Sequence, residues 1–149
     1  MSAKAYLLED RVKGTSYYLK KISTMSVGRN LKCNITTLNP KTLDSKYTHH
    51  QKRVAGYVSG IHFHIHYGSD GNVYIWDNKS TNGLYIQSGN EEEIIRIHEK
   101  TMISPGTTIY ASVHYEFFLR EKIDVDAQKK AEEKASTETT RILIQEDII

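Results

Sequence analysis

Short runs in which apolar and polar residues alternate dominate the first 120 residues of the chain. The stretches His62-Phe-His-Ile-His-Tyr67 and Val73-Tyr-Ile-Trp-Asp77 carry the two-residue period of a strand with one buried face, and both are too short for a helical period. Similar patterning, rich in β-branched and aromatic residues, predicts strands over Lys4–Glu9, Ser16–Ile22, Met25–Gly28, Cys33–Leu38, Leu84–Gln87, Ile94–Ile97, Thr107–Ala111 and His114–Arg120. Turn chemistry falls between them: Gly68-Ser-Asp-Gly-Asn72 reads as a hairpin loop and Pro105-Gly106 as a plain turn. Brief strands with no helix-length apolar period between them predict an all-β sandwich or barrel.

Two stretches break the pattern. Residues 39–57 form a long polar connection with four basic residues and one acid, a length at which loops are functional or disordered. From Ile123 an Ala, Lys and Glu-rich run reads as an exposed helix or a solvated linker. The expected organisation is a globular domain over 1–122 and an acidic helical or disordered tail over 123–149. Charge divides at the same place. Residues 1–120 hold 15 basic and 10 acidic side chains (+5), and residues 121–149 hold 5 and 8 (−3), which gives the formal net charge of +2. A total so balanced does not argue for wrapping nucleic acid, so any phosphate contact has to be local.

The single Cys33 excludes an internal disulfide and a cysteine zinc site, which fits a reducing nuclear or cytoplasmic setting. The first ten residues carry no apolar run of signal-peptide length, and no membrane segment is expected.

Three short motifs carry chemistry: Gly28-Arg29 at a strand end, Ser59-Gly-Ile-His62 before a strand, and Ser80-Thr81-Asn82-Gly83 between two strands. At loops that converge at one end of a sandwich they bring together a guanidinium, hydroxyls and an amide. Such a set lacks the paired acid and base that bond breaking needs, but it suits an oxyanion. Arg29 offers forked donors, Ser59 and Thr81 offer hydroxyl hydrogen bonds, and Asn82 can donate and accept along an extended peptide. Charge-assisted bonds contribute about 1.5 to 3 kcal/mol each, so a few of them reach a micromolar affinity without a large basic field. Phosphate-loop, nucleophile-elbow and His-Glu-x-x-His motifs are absent from the sequence, and no enzyme activity is expected.

In their order and spacing these motifs resemble the forkhead-associated (FHA) domain, over about residues 3 to 121. The resemblance implies a β-sandwich of about ten to eleven short antiparallel or mixed strands that binds phosphothreonine peptides and needs no cofactor. It implies that Arg29, Ser59 and Thr81 contact the phosphate and that Asn82 bonds the peptide main chain. Gly28, which lets the strand turn, His62 and Gly83 would support the site. Gly60 stands where the family often has Arg, Lys or Asn, which removes one phosphate contact, and Leu84 stands where Thr is common. The 39–57 connection is long and basic; Tyr57, Arg53 and Lys52, with Ser80 and Gly60, are the candidates for reading flanking peptide residues, unless the connection is a mobile insertion. The resemblance also implies threonine-phosphorylated partner proteins in kinase signalling or DNA-damage and cell-cycle checkpoints, with this chain a non-catalytic module of a larger protein kinase, as the order of domain and linker suggests, or of a ubiquitin ligase.

Two other readings compete. His62, His64 and His66 alternate toward one face of a strand, opposite a core face of Ile61, Phe63, Ile65 and Tyr67, and could offer imidazoles to a metal. Same-face positions lie nearly 7 Å apart, however, too far for all three to reach one ion. The basic 41–53 loop with nearby tyrosines could stack on single-stranded nucleic acid. In the tail, Ser136, Thr137, Thr139 and Thr140 are exposed hydroxyls in an acidic context, where phosphorylation would allow docking into another copy of the chain.

Overall fold

A computed structural model describes residues 4–123, and the expectations placed on the tail beyond them lie outside the described residues. Its strands are β1 (Lys4–Asp10), β2 (Thr15–Tyr18), β3 (Ser23–Gly28), β4 (Ile35–Thr36), β5 (Phe63–Tyr67), β6 (Val73–Asp77), β7 (Leu84–Gln87), β8 (Ile95–Arg96), β9 (Thr101–Ile103), β10 (Thr108–Ala111) and β11 (Tyr115–Ile123), with one short helix, α1 (His49–Ala55), between β4 and β5. One sheet has the order β2-β1-β11-β10-β7-β8 and the other β4-β3-β5-β6-β9. The pairings of β1 with β2, β3 with β5, β5 with β6, β6 with β9, β7 with β8 and β10 with β7 and β11 are antiparallel, and that of β3 with β4 is parallel and sets Val27 opposite Ile35 and Gly28 opposite Thr36.

Alternation decides what is inside. Along β5, Phe63, Ile65 and Tyr67 are buried while His64 and His66 are only partly so. With Ile75, Leu84, Ile109, Tyr115, Phe117 and Leu119 they fill the core, each side chain contributing about 1.5 to 3 kcal/mol when fully buried. The alternation does not extend back to Ile61 and His62. Ile61 is exposed and His62 is fully buried, because β5 begins at Phe63 and the two preceding residues belong to the loop. The expected common face of His62, His64 and His66 therefore does not exist.

The 39–57 connection is not a structureless insertion. Thr48 caps α1 through a capping box: its hydroxyl accepts the Gln51 N–H, and the Gln51 side chain accepts the Thr48 N–H in return. Val54 and Ala55 face the core, and Gln51 Nε2 donates to the Val12 carbonyl at 3.0 Å, tying the helix to the β1–β2 turn. Strand β9 also lies where no strand was expected, and β4 is only the middle of the segment 33–38.

A buried polar link joins three elements. Tyr115 Oη donates to Asp10 Oδ2 at 2.6 Å and accepts the Leu38 N–H at 2.8 Å, while Asp10 Oδ1 accepts the Val12 and Lys13 N–H groups. The link fixes the start of the connection after β4 against β1 and β11. Residues Tyr6–Glu121 form a compact unit that contains every candidate site residue.

Candidate functional site

The loops after β3, before β5 and after β6 are laced to one another by backbone and side-chain hydrogen bonds. The Arg29 N–H donates to the Ser59 carbonyl at 3.1 Å and the Asn30 N–H to the Gly60 carbonyl at 3.0 Å. This approach leaves no room for a side chain at position 28. A Cβ there would stand 2.2 Å from the Gly60 oxygen. Gly28 is thus required by the passage of one backbone against another and not, as the sequence suggested, by a turn of the strand, since its φ is not positive.

His62 holds the second loop to the third. Its Nδ1 accepts the Ser59 N–H at 3.0 Å, so the ring proton sits on Nε2 and is donated to the Gly83 carbonyl at 2.6 Å. Burial pulls the imidazole below its ordinary pKa, against the opposing pull of the Gly83 carbonyl and Asp77, and the neutral tautomer is the one this pair of bonds requires. In the third loop the Ser80 hydroxyl accepts the Gly83 N–H at 3.0 Å and Asp77 Oδ1 accepts the Ser80 N–H at 3.3 Å. Gly83 itself has a φ of +88°, which a side chain would strain.

Above this framework lies a cleft of about 320 Å³ lined by Arg29, Tyr57, Ser59, Gly60, Thr81 and Asn82 together with Gly56 and Val58. Arg29 is exposed, but its Nε donates to the Val58 carbonyl at 2.9 Å, which sets the plane of the guanidinium and leaves both terminal nitrogens as donors for a ligand. Among the described residues no carboxylate pairs with it, and none lines the cleft. Ser59 Oγ accepts the Thr81 N–H at 3.1 Å, so its own proton remains for an acceptor in the cleft. Asn82 Nδ2 donates to the Tyr57 carbonyl at 2.9 Å, which orients the amide and leaves Oδ1 as an acceptor.

Of the residues singled out from sequence, Arg29, Tyr57, Ser59, Gly60, Thr81 and Asn82 share the cleft, while Gly28, His62, Ser80 and Gly83 lie beneath it as braces. Lys52 and Arg53 do not line it: both stand on α1, where Arg53 Nη2 bonds His50 Nδ1 at 3.0 Å. Sequence reasoning missed three participants. They are the Val58 carbonyl that positions Arg29, the Cys33 thiol that donates to the Gly60 carbonyl at 3.2 Å, and His114, whose ring packs on Tyr57 with centroids 4.8 Å apart. Only tertiary contact reveals them.

The metal-binding arrangement is not assembled among the described residues. Among the described residues no three His, Cys, Asp or Glu side chains stand together as metal ligands. His64 stacks on Trp76 with centroids 5.5 Å apart, away from His62. Beside the basic connection, Tyr47 packs half-buried against the core, whereas Tyr57 is exposed and has the His114 ring beside it. No helix among the described residues is long and apolar enough to cross a membrane.

A family model described as the FHA domain matches residues 25–111. The FHA domain of the CT664 protein from Chlamydia trachomatis is 19% identical, with a TM-score of 0.58 over 78% of this chain and 96% of that one. The FHA domain of an Arabidopsis thaliana protein is 18% identical, with a TM-score of 0.57 over 79% of this chain and 86% of that one. Mycobacterium tuberculosis EmbR, solved in complex with a low affinity phosphopeptide, is 25% identical with a TM-score of 0.53 over 78% of this chain but only 24% of its own. No protein of curated function matches the sequence.

Proposed function

This chain belongs to the FHA family, and from that premise we propose that it captures partner proteins phosphorylated on threonine, with Arg29, Ser59 and Thr81 on the phosphate and Asn82 on the peptide main chain. Domains of this family are non-catalytic phosphopeptide-binding modules. One observation carries the assignment of residues: a forked cation, two hydroxyls and an oriented amide border one cleft that no carboxylate lines. A phosphate of charge about −1.5 to −2 has three acceptor oxygens, and that donor set matches it. Tyr57, packed against His114 at the rim, is placed to touch residues beside the phosphothreonine.

Titration of a labelled phosphothreonine peptide library against the full chain tests the proposal. We expect micromolar binding that is lost on dephosphorylation. Arg29→Ala should abolish binding and leave the thermal midpoint unchanged, because the guanidinium makes no core contact. Equal binding of phosphorylated and dephosphorylated peptides sinks the reading, and full affinity in Arg29→Ala moves the phosphate elsewhere.

The finer assignment places the partners in kinase signalling, the checkpoint setting included, inside the nucleus or cytoplasm. A phosphorylated tail is a candidate ligand of a second copy. Light scattering of tail-phosphorylated chain should then show a dimer mass, and a strictly monomeric mass at high concentration counts against it.

A further inference from the structure

We propose that the β3–β4 loop and the connection after β4 form a docking surface for an anionic lipid bilayer, with Leu31 and Leu43 entering the headgroup region and the surrounding lysines and arginines held against its negative charge. The proposal goes beyond the phosphothreonine reading and does not depend on it.

The excess charge of the domain is gathered in one stretch. Residues 29–57 hold Arg29, Lys32, Lys41, Lys46, Lys52 and Arg53 against the single acid Asp44, a net of +5, whereas the other residues of 1–120 hold nine basic and nine acidic side chains and cancel. Of those six cations all but Lys52 are exposed. The fold adds a seventh from the β1–β2 turn, because Lys13 Nζ donates to the Thr36 carbonyl at 3.0 Å and so stands beside β4.

Two leucines stand out of the same stretch. Leu31 is 86% exposed and Leu43 is 95% exposed. Neither hangs on a loose segment. Residues 30–33 close a turn in which the Cys33 N–H donates to the Asn30 carbonyl at 2.9 Å and the Lys32 N–H to Asn30 Oδ1 at 2.9 Å, with Leu31 at its corner. Leu43 lies between two further turns, in which the Thr42 N–H donates to the Asn39 carbonyl at 3.1 Å and the Tyr47 N–H to the Asp44 carbonyl at 3.3 Å. Leu31 and Thr42, the neighbour of Leu43, border one second cleft of about 410 Å³, whose lining includes the apolar groups of Leu38, Pro40 and Tyr47. A single exposed leucine needs no explanation, but two held on hydrogen-bonded turns beside one cleft leave apolar surface that suits a partner.

The chemistry of that partner follows from the two features together. A nucleic acid or an acidic peptide would use the cations and leave the aliphatic tips in water, and single-strand binders offer aromatic faces for stacking instead. A bilayer with anionic headgroups uses both, since basic side chains are drawn to its negative surface potential and short apolar groups reach the boundary between headgroups and acyl chains. Contact of this kind lies on the membrane and needs no helix that crosses it.

Co-sedimentation of the full chain with vesicles tests the proposal, using phosphatidylcholine alone and phosphatidylcholine with about 30% phosphatidylserine. The mixed vesicles should bind the chain at least about tenfold more tightly than the neutral ones. Leu31→Ser with Leu43→Ser should weaken binding to mixed vesicles about tenfold at an unchanged thermal midpoint, and Leu43→Ser alone about threefold. Lys32→Gln with Lys41→Gln should weaken it about fivefold, whereas Lys20→Gln with Lys21→Gln, an equal loss of charge on the β2–β3 turn, should weaken it less than about twofold. The proposal is overturned by no sedimentation with mixed vesicles, by equal binding to neutral ones, by leucine variants that bind like the wild type, or by a control pair that weakens binding as much as Lys32→Gln with Lys41→Gln. Tighter binding of a single-stranded oligonucleotide that is indifferent to both leucines overturns it in favour of nucleic acid. A phosphothreonine peptide titrated alongside should bind Leu43→Ser as it binds the wild type, and its failure to bind the wild type brings down the first-cleft reading and leaves the vesicle result standing.

Discussion

Gly28 and Gly60 show how two residues of one type answer to different forces. At Gly28 a Cβ would meet the Gly60 oxygen at 2.2 Å, so Gly28→Ala should force the two loops apart and cost about 3 kcal/mol, read as a lower denaturant midpoint, with loss of peptide binding. At Gly60 a Cβ meets nothing within 4 Å and φ is not positive, so a side chain can be added freely. Gly60→Arg should supply a charge-assisted phosphate bond and tighten phosphothreonine peptide binding about tenfold at unchanged stability, measured by the same titration. His62 gives the pH prediction. Its folded pKa lies below the ordinary 6.5, so the unfolded chain takes up its proton first as pH falls. The stability that neutral His62 contributes is therefore full above about pH 6.5, declines as pH falls below it, and stops declining once pH passes below the folded pKa. Comparing unfolding free energies of the wild type and His62→Asn across pH 7.5 to 5 should show that slope in the wild type alone; parallel curves would remove His62 from the pH response.

The elements carry the site because each is tied to a neighbour at a defined point. The helix α1 has a capping box in the sequence, Thr48 with Gln51, followed by Val54 and Ala55 on one face. Those signals were legible, but a seven-residue helix offers too few turns for a period to stand out from a polar connection. Thr48→Ala should cost about 1 kcal/mol and speed amide exchange through α1, since one helix N–H loses its acceptor. The Tyr115 hydroxyl serves two chain segments at once, so Tyr115→Phe leaves the Leu38 N–H and Asp10 Oδ2 short of partners and should lower stability by about 2 kcal/mol in denaturant unfolding. Burial is the main reason that the Asp10 carboxyl is pushed above its usual range and the Tyr115 hydroxyl above its own, so neither ionises alone without cost. No local pattern in the sequence pairs these two residues, which are separated by almost the whole domain.

For the whole molecule the relevant quantity is where charge stands and not how much there is. Residues 1–120 carry +5 against −3 for the remainder, yet the first cleft depends on one guanidinium held in plane. Binding of a singly phosphorylated peptide should therefore weaken only modestly, by less than about tenfold, when salt rises from 0.05 to 0.5 M, because screening acts on few charges at contact distance. The slope is read from Kd across a salt series, and a loss of about a hundredfold or more would argue that a wider basic surface takes part.

By itself the sequence determined the fold class and singled out the candidate residues that share one cleft. Two-residue alternation leaves a strand no choice about which side chains are buried, and three short motifs kept their spacing at the ends of strands. Tertiary structure alone decided where alternation stops, so that His62 turns inward to bridge Ser59 and Gly83 and does not stand in line with His64 and His66. It also decided that Gly28 must lack a side chain, that Val58 aims Arg29, and that Lys52 and Arg53 do not line the cleft. The physical reason is common to all of these. Local pattern reports the balance of water and apolar surface along one element, whereas a close backbone approach, a shared hydrogen-bond acceptor or a cleft between loops depends on segments whose meeting is set by the packing of both sheets.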